Sequence, residues 1–596
     1  MSGGRLHADF LLVGGGIAAA SAAQALRDEG ETGAILMLCA ENVPPYVRPA
    51  LIGGILTGER TTAQILLRPP EAYRQNRIDL RLGTRAARAM PDRHLVVDEA
   101  GQEYRYGKLL IATGARARAL DIPGADLPGI FRLHDLADAG ALAAAIRPGA
   151  RPRARIAIIG SSFVAMEAAS ALVRRGAAVT LIDQAAQIFP RIDSPDLAAF
   201  FLECCRAHGI TVRLSETVVA YEAAPGPAPR LAGLVTAAGE TIPCDAALLA
   251  IGVVPETGWL EGSGIALADG VVVDRFLASP TPDVFAAGDV ARYPDREPGP
   301  AESLTRTEHW DNARAEGVIA ARNMLGRRLP YEDVPHYYCD FLDFSFSFLG
   351  RSSGADQRVL RGTLGSDSFA EFYLREGRII GLFSTGRPAE ETGIVDVLIR
   401  QRAHVGDALA RLADPTADLG ALARTTVLIL QGGGALGAFE CGVVRAMEEA
   451  RITPGIVGGV SVGALNGAII AANPQGAHQA LAAFWHEIAL DSPGLAAPGG
   501  GASPLGHALA AWGAAACGVP GFFRPRWLAP PVPGEALPQQ WTSLYDAAPL
   551  LRTLGKYVDF DRLATSPIRL IVGAVDVERG ALTFFDSRID HLTPAH

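Results

Sequence analysis

Positive charge is in short supply in this chain. Its 54 Lys and Arg stand against 64 Asp and Glu, a formal net charge of −10 over 596 residues. That balance lacks the electrostatic footprint of a nucleic-acid binder. Cysteine is scarce as well. The seven (39, 204, 205, 244, 339, 441 and 517) are scattered without metal-ligand spacing, so no metal site is expected and a reduced, cytoplasmic protein is. The vicinal pair Cys204–Cys205 would make a redox switch only through a strained disulfide, and its context FLECCRAHG reads as helix. Membrane-spanning runs are missing too. Two long uncharged tracts, 452–486 and 492–523, are broken by Gly, Pro and Asn, whereas a span needs ~20 predominantly apolar residues. Peripheral contact with lipid stays open. The opening MSGGRLHADFLLVGGG shows no cleavable signal pattern and runs almost straight into a strand.

What is abundant is small and apolar. Hydrophobic residues make up 49% and charged residues 20%, a globular α/β composition, and the length exceeds one hydrophobic core, so three or more domains are expected. Three glycine-rich turns organise them. The first, in DFLLVGGGIAAASAAQALRDEG, reads as strand, tight turn and helix. Gly14 makes the turn, Gly16 lets backbone approach a pyrophosphate, and Ala19 packs helix on strand. The helix N-terminus offers free N–H groups to phosphate. The next strand, AILMLC, ends at Glu41, 25 residues beyond Gly16, where a carboxylate can accept ribose hydroxyls.

A second strand–turn–helix–strand unit, RIAIIGSSFVAMEAASALVRRGAAVTLID, spans 155–183 and ends in Asp183. Between and after these units come YGKLLIATGA (106–115), with Thr113 and Gly114, and TPDVFAAGDVA (281–291), with Asp289. One nucleotide site explains only part of this pattern; two, one domain nested in the other, explain all of it. PYVRPAL (45–51), TEHWDNA (307–313) and YYCD (337–340) carry a resemblance to two-dinucleotide-domain flavoprotein reductases. Within them the chain is most similar to the ferredoxin/rubredoxin reductase and apoptosis-inducing-factor-like branch, over about 1–420.

The resemblance implies that FAD is held by Gly14, Gly16, Ala19, Glu41, Arg48, Thr113, Gly114 and Asp289. Glu308, His309 and Tyr338 would lie by the isoalloxazine, Tyr338 where the family usually has Trp. A nicotinamide nucleotide would be held by Gly160, Ser162, Ala165, Glu167, Asp183 and Gly252. The chain departs from the family pattern in two places. Gly53 stands where a Lys usually follows the PYxRP segment, and the loop GSSFVA (160–165) keeps one glycine of three. Asp183, followed by Gln184, would repel a 2′-phosphate and favours NADH over NADPH. A dithiol relay of the CxxxxC or CxxC kind is absent beside Cys39, so electrons must leave the flavin toward an external acceptor: a small iron–sulfur protein, a quinone or oxygen.

The third turn, QGGGALGAFECG (431–442), satisfies G-x-G-x-x-G, but the following strand PGIVGGV ends at Ser461 rather than at an acid. GVSVG (459–463) is G-x-S-x-G between a strand and a small-residue helix, the setting of a nucleophile elbow. Gly432, Gly433 and Gly434 would then offer backbone N–H groups to an oxyanion. The pair of motifs resembles patatin-like phospholipases, which use a Ser–Asp dyad on lipid acyl esters, and implies Ser461 as nucleophile. The dyad Asp lies in a D-G-G or D-G-A, and neither follows Ser461 here. The hydrolase half is therefore expected to be truncated or incomplete, without a general base. A rival reading pairs Asp586 or Asp590 with His591 in a triad. The stretch 491–540, with GVPGFFRPRW, reads as a cover, a lipid contact or a solvated loop.

The expected fold class is α/β throughout. The FAD domain is 1–119 and 245–328, the nested NAD(H) domain 120–244, and a small α+β C-terminal reductase domain 329–404. A helix and linker (405–423) lead to a patatin-like α/β domain, 424–596. Oligomeric state is not legible.

Overall fold

The computed structural model describes residues 6–146, 153–227, 229–295, 304–422, 426–450, 452–489, 512–528, 544–576 and 581–594. The chain divides into two compact units, Met1–Ala423 and Arg424–His596.

The first unit opens on a buried strand, Leu6–Val13, flanked in parallel by Ile35–Leu38 and by the long strand Glu103–Ile111. Ile78–Arg81 and Val284–Ala286 extend the sheet in parallel at its two sides. Ile35–Leu38, Val284–Ala286 and the C-terminal ends of the two long strands, Phe10–Val13 and Leu109–Ile111, are apolar and buried, as parallel strands covered on both faces require, while polar residues such as Asp9, Asp79 and Arg105 stand toward the other ends. Helices Ile17–Asp28 and Trp310–Met324 pack against each other at backbone distance: a Cβ on Gly317 would stand 2.2 Å from the Ala18 carbonyl oxygen. Between these halves lies a second parallel sheet, ordered 211–214, 178–183, 155–159, 246–249, 130–131.

The strand Ala246–Leu249 belongs to this inserted sheet, so the chain returns to the outer domain later than the expected boundary at 244/245. The crossing is made by an antiparallel ribbon of Ala115–Ala117 with Val253–Pro255. Residues 336–385 form a five-stranded antiparallel sheet, covered by helix Ala389–Gln401.

The expected linker at 405–423 is instead part of this last domain. Leu412 and Leu419 are buried in its core. The fully buried Arg361 guanidinium donates to the carbonyls of Arg411, Leu412, Asp414, Pro415 and Ala417 and to Glu391. A buried charge needs such partners, and the strap and Glu391 supply them to both terminal nitrogens.

The second unit has a four-stranded sheet, ordered 427–430, 456–460, 569–576, 581–586, the last strand antiparallel. Helices Ala438–Glu449, Val462–Ala472 and Ala477–Glu487 bury Leu430, Val457, Leu570 and Val572 on one face. Val427, Ile429, Val575, Leu582 and Phe584 are exposed. Among the described residues no helix is long and apolar enough to cross a membrane.

Candidate active sites

The first two glycine turns of the first unit open on one cavity of about 1340 Å³. Ligand pockets commonly run to ~300–1,000 Å³, so this volume suits two ligands rather than one. The turn after Leu6–Val13 needs glycine: Gly14 has φ +145°, and a Cβ there would stand 2.1 Å from the Ala112 carbonyl oxygen. Gly16, N-cap of the following helix, has open space where its Cβ would be. Ala19 is buried behind the wall, where the third small residue of such a turn packs helix on strand. Glu41 accepts from the Tyr46 hydroxyl at 2.9 Å and from Arg48 at 3.3 Å, and Arg48 also donates to the His134 carbonyl. Thr113 donates to the Glu256 carbonyl at 2.8 Å, and Gly114 turns with φ +66°.

Asp289 reaches the same wall from the end of Val284–Ala286. Burial and the nearby Glu308 charge push its carboxyl up to about 6. Its carbonyl accepts from Arg306 at 3.0 Å, and the preceding Gly288 N–H donates to buried Glu316 at 2.7 Å. Glu308 sits between Arg306 at 2.9 Å and Arg191 at 3.1 Å. His309 Nδ1 accepts the Asp311 N–H, and burial lowers its imidazole to about 4, so the ring is neutral at pH 7. That ring packs edge-on against Tyr338, with centroids 4.9 Å apart, and lies 5.2 Å from Tyr337.

The second turn repeats the geometry. Gly160 has φ +113°, and its Cβ would stand 2.4 Å from the Ala250 carbonyl oxygen. Ser162 caps helix Phe163–Arg174 in extended conformation, and Ala165 is buried under it. The Ser161 hydroxyl donates to Asp183 at 2.6 Å. Glu167 accepts the Asp340 N–H at 3.1 Å, and burial pushes its carboxyl up to about 7. Gly252, with φ +92°, completes the wall.

Except for the two buried alanines, every residue expected at either cradle lines this one cavity. The cavity also holds residues the sequence reading missed: His134, Ser161, Arg191 and Glu216 on the wall, with Arg306 and Glu316 behind it. Two open helix N-termini, each behind a turn that only glycine fits, match two pyrophosphates. The residues present therefore fit FAD and a nicotinamide nucleotide. All seven cysteines are free thiols, Cys204 and Cys205 within helix Pro195–Ala207.

In the second unit Ser461 follows strand Ile456–Val460 and caps helix Val462–Ala472 at φ 55°, ψ −126°. A non-glycine residue held there costs ~1–3 kcal/mol, and its surroundings fix it. A Cβ on Gly459 would lie 2.2 Å from the Gly463 carbonyl, and one on Gly463 2.4 Å from the Leu430 carbonyl. Gly432 is against the serine, 3.0 Å from Ser461 Cβ to its own ideal Cβ position. Gly433 and the left-handed Gly434 (φ +58°) continue as an exposed loop.

Asn466, fully buried, ties this loop to the serine's helix. Its amide donates to the Gly437 carbonyl at 2.9 Å and to Glu440 at 2.7 Å, and its oxygen accepts the Trp485 indole N–H at 3.0 Å. Among the described residues none hydrogen-bonds the Ser461 hydroxyl. Of the rival triad, Asp586 lies level with Gly458, two strands across, and is bonded to Arg569. Two strand spacings are about 10 Å. Asp590 accepts the Asp586 N–H, and His591 is exposed beside Asp561. Residues 491–511 and 529–540 of the expected cover lie outside the described residues. Within 512–528, Trp512, Ala515, Ala516 and Trp527 line an apolar cavity of about 430 Å³.

Comparison with known proteins agrees with both halves. Residues 8–317 match the family of pyridine nucleotide-disulphide oxidoreductases, and 337–423 match the reductase C-terminal domain. The chain belongs to that oxidoreductase family. Residues 428–592 match patatin-like phospholipase, so an FAD-type oxidoreductase fold is fused to a patatin-like domain.

Among individual relatives, the chain is 36% identical over 420 residues to the 5,5'-dehydrodivanillate O-demethylase ferredoxin reductase subunit of Sphingobium sp., covering 70% of this chain and 100% of that one. It is 31% identical over 391 residues to rhodocoxin reductase of Rhodococcus erythropolis, covering 65% and 89%. In structure it is similar to the ferredoxin reductase for the CYP199A2 system from Rhodopseudomonas palustris, with a TM-score of 0.65, 26% identity, and 70% and 100% of the chains covered.

Proposed function

We propose that this protein is an FAD-dependent NADH oxidoreductase that passes electrons to a small ferredoxin-like iron–sulfur protein. The observation that carries this reading is the single cavity shared by both glycine cradles, with Glu167, His309 and Tyr338 on its wall. FAD, when bound, accepts a hydride and releases electrons one at a time. Around it Gly14 and Gly16 give the pyrophosphate its backbone, and Glu41 and Arg48 hold the adenosine and phosphates. Asp289 takes the ribityl hydroxyls, while Gly160, Ser162 and Asp183 seat NADH. Two carboxylates, Asp183 and Glu216, face the adenosine ribose end, which disfavours a 2′-phosphate. The relatives named as ferredoxin reductases support the acceptor class, and no cysteine pair stands by to make a dithiol relay. The test is NADH-driven reduction of a plant-type or adrenodoxin-type ferredoxin by the FAD-loaded protein. A protein that does not take up FAD, or reduces no such acceptor, overturns the reading.

For the second unit we propose a patatin-like acyl-hydrolase site on lipid esters, with Ser461 as nucleophile and the 432–434 loop as oxyanion donor. A second reading, a lipid-binding module without turnover, is favoured by the lack of a base on Ser461 among the described residues. Fluorophosphonate labelling, abolished in Ser461→Ala, supports the hydrolase; an unlabelled wild type supports the module.

A further inference from the structure

The second cradle contains a serine at a position where its loop motif asks for nothing in particular. Ser161 is buried, and its hydroxyl donates to Asp183 Oδ2 at 2.6 Å. The other carboxylate oxygen, Oδ1, accepts the Ala185 N–H at 2.8 Å. A surface carboxylate at a strand end ordinarily rotates among rotamers; this one is held by two donors, one on each oxygen. Charge-assisted hydrogen bonds of this kind are the strong ones, and each oxygen keeps a further lone pair for a ligand.

The same patch carries Glu216, whose N–H donates to the Asp183 carbonyl at 3.0 Å. The Glu216 carboxylate lies on the cavity wall and is gripped by Arg213, which also binds Glu240. The cation beside this patch is thereby engaged by two carboxylates.

We propose that Ser161 determines nucleotide specificity as a positioning residue acting through Asp183. Its hydroxyl fixes the carboxylate so that the free lone pairs meet a vicinal ribose diol and repel a 2′-phosphate. The proposal rests on the reading of this cradle as a nicotinamide-dinucleotide site. It adds that the fixing donor, and not the acid alone, makes the choice.

The experiment is calorimetric titration of the FAD-loaded protein with ADP-ribose and with 2′-phospho-ADP-ribose, which probe the ribose end without turnover. Wild type, Ser161→Ala, Ser161→Gly, Asp183→Ala and the Ser161→Ala/Asp183→Ala double variant are compared, with FAD content checked by visible spectrum. Wild type is expected to prefer ADP-ribose. Each Ser161 variant should weaken ADP-ribose about tenfold, the scale of one charge-assisted hydrogen bond, with no loss of the 2′-phospho ligand. In the Asp183→Ala background, Ser161→Ala should change nothing further.

A wild type that prefers the 2′-phospho ligand sinks the NADH reading itself. A wild type preferring ADP-ribose whose Ser161 variants keep the full preference overturns the Ser161 proposal alone. So does a Ser161 effect that persists undiminished without Asp183, because the serine would then act on the phosphate loop.

Discussion

Glu167 is a titratable group on the wall of the shared cavity. Burial raises its carboxyl from the ordinary 4.5 to about 7; the Asp340 N–H works against that rise, and the Asp340 charge adds to it. Cys339 and Tyr338 are the other titratable groups beside it. A rise of that size disfavours the ionised form by about 3 kcal/mol. An ordinary glutamate is ~0.3% protonated at pH 7, whereas about half of Glu167 keeps its proton there.

In the proposed function the nicotinamide ring lies against this carboxyl and gains positive charge as the hydride leaves. The protonated form, present below pH 7, offers that charge nothing; the ionised form, present above, stabilises it. The rate of flavin reduction by saturating NADH, measured by anaerobic stopped flow, is therefore expected to rise through about pH 7 and level off above it. Glu167→Gln is neutral at every pH, so its profile should be flat at the acid-limb rate. A variant that still titrates near 7, or a wild-type profile flat across neutrality, would refute the assignment.

Three further outcomes follow from the packing. Arg361→Met removes the donor to five strap carbonyls, and breaking a buried charge network costs about 3–5 kcal/mol, so proteolysis within 405–422 should accelerate strongly; undiminished resistance would contradict the strap's anchoring. Asn466→Leu strips partners from the Gly437 carbonyl, Glu440 and the Trp485 indole, each worth ~1 kcal/mol or more, so fluorophosphonate labelling of Ser461 should slow tenfold or more and Trp485 emission should shift. Unchanged labelling and emission would mean the loop is held otherwise. Gly463→Ala drives a methyl to 2.4 Å from the Leu430 carbonyl and should abolish labelling while leaving the flavin spectrum intact; normal labelling would disprove the elbow geometry.

The parts of the sites legible in sequence are those written locally. Gly14, Gly16 and Glu41 stand at fixed spacing because one strand–turn–helix–strand unit carries them, and Gly459 and Gly463 flank Ser461 because the turn admits no Cβ. Arg191 and His134 were not legible because they lie outside every motif read, and Arg306 and Glu316, which flank TEHWDNA, were not because a single Arg or Glu carries no local signature. The Ser161–Asp183 bond was half visible, as an acid at a strand end whose partner lies 22 residues back. The strap at 405–422 looked like a linker because what makes it part of the domain is one buried guanidinium on a strand about 50 residues earlier. The boundary at 244/245 missed because Ala246–Leu249 is a short apolar run that fits either sheet, and only pairing with Ile156–Ile159 decides between them.

The central claim is that one cavity brings a flavin and NADH together. An anaerobic titration of the FAD-loaded protein with NADH tests it most directly. Stoichiometric NADH should bleach the visible flavin band, and addition of an oxidised ferredoxin should restore it. A flavin band unmoved by excess NADH, in protein that binds FAD fully, would contradict the account.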